Sequence, residues 1–136
     1  MKVIHDTQIN ESSDKLWNTL RSFDGVEKYL SIVTKSVITG NQKGSKRTCD
    51  VNLGHQDFQT LETLEFLDEK NKILTVCLDE GPIQIRGMKF TFTVKSTGDG
   101  KSNFTISTDV GNPDAAGAAQ TIFSMIGQGL KKFHEQ

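Results

Sequence analysis

Hydrophobic and polar positions change rhythm several times along the chain, and each change marks an element. Residues 2 to 9 alternate, with Val3, His5, Thr7 and Ile9 on one face and Ile4 and Asp6 on the other. That period of two predicts a strand. Leu16, Trp17, Leu20 and Phe23 then recur at helical spacing, behind Asn10 or Ser12 as a short polar cap. Asp24-Gly25 ends this helix, and Val26 to Leu30 forms a second short helical piece.

From Ile32 to Val110 period two returns, punctuated by turn residues. The expected strands are 33–39, 45–53, 58–67, 72–79, 84–97 and 102–110. Gly40 to Gly44, Gly54 to Asp57, Asp68 to Asn71, Gly81-Pro82 and Gly98 to Lys101 divide them. On these strands Phe58, Leu64 and Phe66 share a face with Glu62. Arg86, Met88, Phe90 and Phe92 share another, as do Phe104, Ile106, Thr108 and Val110. Arg47 runs in phase with Cys49 and Val51. Six strands with short connections read as an antiparallel meander, and residues 2–9 supply a seventh.

The last segment has a full set of helix signals. Asn112 caps it, Pro113 occupies a first-turn site where no N–H is needed, and Asp114 complements the helix dipole. At 100° per residue Ala115, Ala119, Ile122, Ile126, Leu130 and Phe133 form one stripe, with Phe123 at its edge. Gln120, Ser124, Gln128, Lys131 and Glu135 occupy the opposite side. The fold class is therefore α+β: one domain over 1–136, with about seven antiparallel strands, two short helices after the first, and a long C-terminal helix.

Charge and composition narrow the function without fixing it. Hydrophobic residues make up 35% and charged residues 24%, with a net charge of −1 and no basic block. A nucleic-acid partner is not expected, because nothing would neutralise a phosphate backbone. Apolar runs are too short for a membrane span, and residues 1–6 turn polar too soon for a signal peptide, so a cytoplasmic protein is expected. Cys49 and Cys77 form no CxxC pair and read as free buried thiols. Three scattered histidines (His5, His55, His134) offer no metal site, and no cofactor motif is present.

Ile9-Asn10-Glu11-Ser12-Ser13-Asp14-Lys15-Leu16-Trp17 resembles the opening of polyketide cyclase/dehydrase-like proteins of the START-like (SRPBCC) superfamily. So do Glu62-Thr63-Leu64-Glu65-Phe66-Leu67-Asp68 and the Gly81-Pro82-Ile83 connection. The resemblance spans nearly the whole chain. It implies a helix-grip fold in which the sheet wraps around the final helix, commonly with a hydrophobic ligand between them. Members include lipid carriers, aromatic-ring cyclases, hormone receptors and chaperone regulators, so the fold leaves function open.

Three readings follow. The first is a carrier or binder of a small hydrophobic or aromatic molecule, acting as a monomer or weak homodimer. The alternatives are a polyketide-cyclase or dehydratase-like enzyme and a ligand-free protein-binding regulator. For the first reading the strands supply Glu62, Arg86, Met88, Phe90, Phe92 and Phe104 as candidate ligand contacts. Arg86 and Glu62 are expected to answer each other or a polar ligand head, since an inward charge needs a partner. The helical segments supply Tyr29, which the resemblance places near the pocket mouth, and Ala119, Ile122, Phe123 and Ile126. Small residues along the last helix either leave a cavity or let helix and sheet approach closely. An acid–base pair for catalysis is not visible: Asp79 and Asp109 lie near strand ends without partners, and only His5 falls on an inward phase.

Overall fold

The computed structural model describes residues 1–136. Strand β1 (Lys2–Ile9) leads into helix α1 (Ser13–Arg21), which is capped by the Ser12 hydroxyl accepting from the Lys15 N–H. Leu16, Trp17 and Leu20 bury its inner face. A single 3-10 turn, Val26–Lys28, follows the break at Gly25. The meander then runs β2 (Val33–Ile38), β3 (Lys46–Leu53), β4 (Gln56–Asp68), β5 (Ile73–Glu80), β6 (Lys89–Gly98) and β7 (Lys101–Asp109). Helix α2 (Pro113–His134) completes the chain, its first turn capped by the Asn112 side chain accepting from the Ala115 N–H.

All seven strands form one antiparallel sheet in the order β1-β7-β6-β5-β4-β3-β2. Only the β1–β7 pairing joins strands distant in sequence, with Lys2 opposite Asp109 and Ile9 opposite Ser102. One contiguous apolar core lies between the concave face of the sheet and the helices. Phe104, Ile106, Leu64, Val76, Phe123 and Leu130 are sealed within it. The architecture is the expected helix grip.

Three expectations of phase change. Phe66 is 48% exposed, because β4 carries a bulge between Leu64 and Phe66 that shifts its register against β5. The bulge returns Leu67, not Phe66, to the core side. Residues 84–88 are not strand. Ile85 and Arg86 N–H groups both donate to the Pro82 carbonyl, and Gly87 takes a positive φ of 84°. β6 therefore begins at Lys89, and the alternation that put Arg86 inward does not apply. On α2 the inward stripe is rotated by part of a turn. Phe123 sits at its centre, Ile122 is half-buried, and Phe133 faces outward.

The glycines of α2 explain the tight seating of that helix. A Cβ at Gly129 would overlap the Tyr29 carbonyl oxygen, and one at Gly127 would meet the Thr7 hydroxyl on β1. Close approach is therefore the role of these two small residues. Ala119 is likewise fully packed.

Candidate functional site: a cavity with a buried ion pair

Alternation on β3 turns Arg47, Cys49 and Val51 inward, and on β4 it turns Phe58, Thr60 and Glu62 toward them. The β3–β4 register places these residues directly opposite: Val51 with Phe58, Cys49 with Thr60, Arg47 with Glu62. Arg47 and Glu62 are only 6% and 8% exposed. Two charges in such a place require each other, and they meet edge to edge. Arg47 Nη2 donates to Glu62 Oε1 at 2.7 Å, and Nε to Oε2 at 3.3 Å. The Cys49 thiol and the Thr60 hydroxyl also donate to Oε2, each at 3.4 Å.

The far side of the guanidinium is held by Phe23. This residue follows α1 with a φ of 65°, a left-handed conformation that is strained for a bulky side chain. Its carbonyl accepts from Arg47 Nη1 at 3.2 Å, and its ring centroid lies 4.2 Å from the guanidinium carbon. Burial opposes the charge on Arg47, but Glu62 outweighs it and holds the guanidinium pKa above its ordinary value. Burial, reinforced by Glu62, pushes the Cys49 thiol up to about 12. Burial also raises the Tyr29 hydroxyl, which lies in the field of both Arg47 and Glu62.

This pair forms the polar end of a cavity of about 480 Å³ between α2, the 3-10 turn, β3 to β6 and the 82–85 connection. Of the 21 lining residues 14 are hydrophobic, and Arg47 and Glu62 are the only charged ones. The exposed members of the lining, Leu53, Gln56, Gln84 and Thr121, mark the mouth. It opens beside the β3–β4 hairpin. The volume falls within the ordinary range for small-molecule sites.

Of the candidate contacts named from sequence, the structure brings Tyr29, Glu62, Phe90, Phe92, Ile122 and Ile126 to this cavity. Tyr29 stands beside the ion pair rather than at the mouth. Met88, Phe104, Ala119 and Phe123 are buried but belong to solid core, and Ala118 replaces Ala119 as the small lining residue of α2. Arg86 is outside. Its guanidinium donates to the Gly81 carbonyl through Nε and Nη2, and it makes no pair with Glu62.

Sequence reasoning gave Arg47 too small a part, although a signal for it existed. Strands β3 and β4 are joined by the two-residue turn Gly54-His55, with Gly54 at a positive φ of 66°. Counting outward from that turn pairs Leu53 with Gln56 and arrives at Arg47 opposite Glu62. Reading residues 54–57 as a longer turn loses the count.

The histidines stand apart from the cavity lining. His134 ties the end of α2 to α1 through the Thr19 hydroxyl at 2.9 Å and Glu11 at 3.3 Å. His55 occupies the exposed hairpin turn, and His5 packs near Gly127. No helix is long and apolar enough to cross a membrane.

The sequence matches no known family profile. Over 90 residues it is 30% identical to the abscisic acid receptor PYL10 of Arabidopsis thaliana, a stretch covering 64% of this chain. The chain spans about half the length of that receptor, 49%. Among solved structures, an uncharacterised protein from Bacillus thuringiensis superposes with a TM-score of 0.86 at 18% identity, covering all of both chains. A START superfamily protein from Mycobacterium smegmatis gives 0.84 at 14% identity, over 99% of this chain and 97% of the other. At such identities the likeness speaks for the fold, and the chain has the START-like (SRPBCC) helix-grip fold.

Proposed function

We propose, taking the START-like fold as the premise, that this protein binds or carries a small hydrophobic molecule without transforming it. One observation carries the reading: a largely apolar cavity of about 480 Å³ opens to solvent beside a well-packed core. A packed interior normally contains few voids larger than a water molecule. Retaining this one forgoes contacts that larger side chains would make, a loss a ligand can offset.

The cavity's chemistry favours binding over turnover. Its titratable groups are Tyr29, Arg47 and Glu62, and the charged two are engaged with each other. The relative matched over 90 residues is named as a receptor for abscisic acid, which agrees with a binding role but leaves the ligand of this chain open. The test is native mass spectrometry of the protein purified from its own cells. A retained small molecule, released on denaturation and absent from an Ala118→Phe variant, is the expected result. If Nile red also fails to bind the protein or to raise its melting temperature, the reading falls.

A further inference from the structure

The polar end of the cavity is occupied in a way that restricts what can enter. We infer that the site selects an uncharged ligand whose hydroxyl end meets the Arg47–Glu62 pair, and that it rejects a carboxylate of the same shape. This deepens the ligand-binding reading and rests on it.

Charge is the first reason. The lining holds one cationic and one anionic side chain, so the cavity is neutral before a ligand arrives. A neutral guest preserves that balance. A carboxylate would add an uncompensated negative charge beside Glu62, in a buried setting where solvent cannot screen the repulsion.

Donor geometry is the second. An arginine captures a carboxylate by offering two parallel N–H groups along one edge. On Arg47 the Nε and Nη2 edge is taken by Glu62, Nη1 is engaged by the Phe23 carbonyl, and the Phe23 ring lies against the guanidinium. Three of its five N–H groups are thus engaged, and the edge that Glu62 fills is no longer open to a second carboxylate.

Unused acceptor capacity is the third. Glu62 Oε1 accepts one hydrogen bond, from Arg47, and a carboxylate oxygen has room for another. The Thr60 hydroxyl gives its proton to Glu62 Oε2, leaving its own oxygen free to accept. Both residues line the cavity, and a ligand hydroxyl can supply the donor that these open acceptors take. The ligand class is therefore an apolar or aromatic alcohol rather than a fatty or aromatic acid, which sets this site apart from the acid for which the 30%-identical relative is named.

The experiment uses three probes of one shape, 2-methylnaphthalene, 2-naphthylmethanol and 2-naphthoate, titrated calorimetrically at pH 7.5. The alcohol should bind at least tenfold more tightly than the carboxylate and more tightly than the hydrocarbon. Glu62→Gln, which removes the negative charge and keeps an acceptor for Arg47, should improve 2-naphthoate binding at least tenfold. Joint replacement by Arg47→Met and Glu62→Leu should erase the preference for alcohol over hydrocarbon. Carboxylate binding equal to or tighter than alcohol binding in the unmodified protein overturns the inference and leaves the ligand reading standing. If neither the hydrocarbon nor the alcohol binds, both fall.

Discussion

At the scale of single residues, the Arg47–Glu62 pair tests how a buried charge is tolerated. Removing one partner strands the other, so Glu62→Ala should lower stability by about 3–5 kcal/mol. The double replacement Arg47→Met/Glu62→Leu should stay within about 1 kcal/mol of the parent, because apolar residues of similar volume need no partner. Urea denaturation of the two variants checks the contrast. Surface carboxylates set the acid limb. The Ser12 N–H holds Glu11 below the usual range, Arg21 and Trp17 do so for Glu69, and the Thr63 hydroxyl does so for Asp79. A depressed folded-state pKa contributes stability above the unfolded value and loses it as pH falls through the folded one. The urea midpoint should therefore hold steady near neutrality and decline from about pH 4.5 downward. These groups are well solvated, so the decline should be gradual. The inward phases of Glu62, Phe90 and Phe92 were legible from alternation alone. Which cation answers Glu62 was not, because that depends on a register fixed by a two-residue turn.

Elements carry the next set of consequences. Gly117 and Gly129 in α2 have different surroundings, so the same substitution should give opposite signs. At Gly117 an added Cβ meets nothing within 4 Å, and Gly117→Ala should raise stability by about 0.5–1 kcal/mol through helix propensity. At Gly129 the added carbon would collide with the Tyr29 backbone, which cannot swing aside as a side chain can. Gly129→Ala should therefore lower the melting temperature. Thermal unfolding of the pair decides this, and matched effects would mean that α2 does not touch the turn. Both ends of α2 were readable because Asn112, Pro113 and the closing lysines are local signals. The start of β6 was not. Met88 and Arg86 continue the alternation of Phe90 and Phe92, while the local hydrogen bonds to Pro82 and the left-handed Gly87 end the strand. The same limit explains Phe66: a bulge inserts one residue and reverses every phase beyond it, and composition does not announce where it falls.

For the whole molecule, the division between solid core and empty cavity predicts two neighbouring alanines that behave differently. Ala118→Phe should fill open space, block an apolar probe and cost little stability. Ala119→Phe should overpack a sealed site and cost about 1–3 kcal/mol. Probe titration and urea unfolding of both variants separate these outcomes. The general plan, a sheet gripping a long helix, was visible in the order of the elements. The cavity's position was not, since Phe104 and Ile106 pack solidly while space opens toward β3 and β4. The pairing of β1 with β7 has a further consequence, in time rather than in space. Lys2 must wait for Asp109, and Ile9 for Ser102. At ordinary translation speeds the first strand is made roughly five to twenty seconds before its partner. Throughout that interval its edge and its apolar face have nothing to pair with. The grip can close only once α2 has followed β7 and lies across β1, so the domain commits to its structure only when its last element has been made.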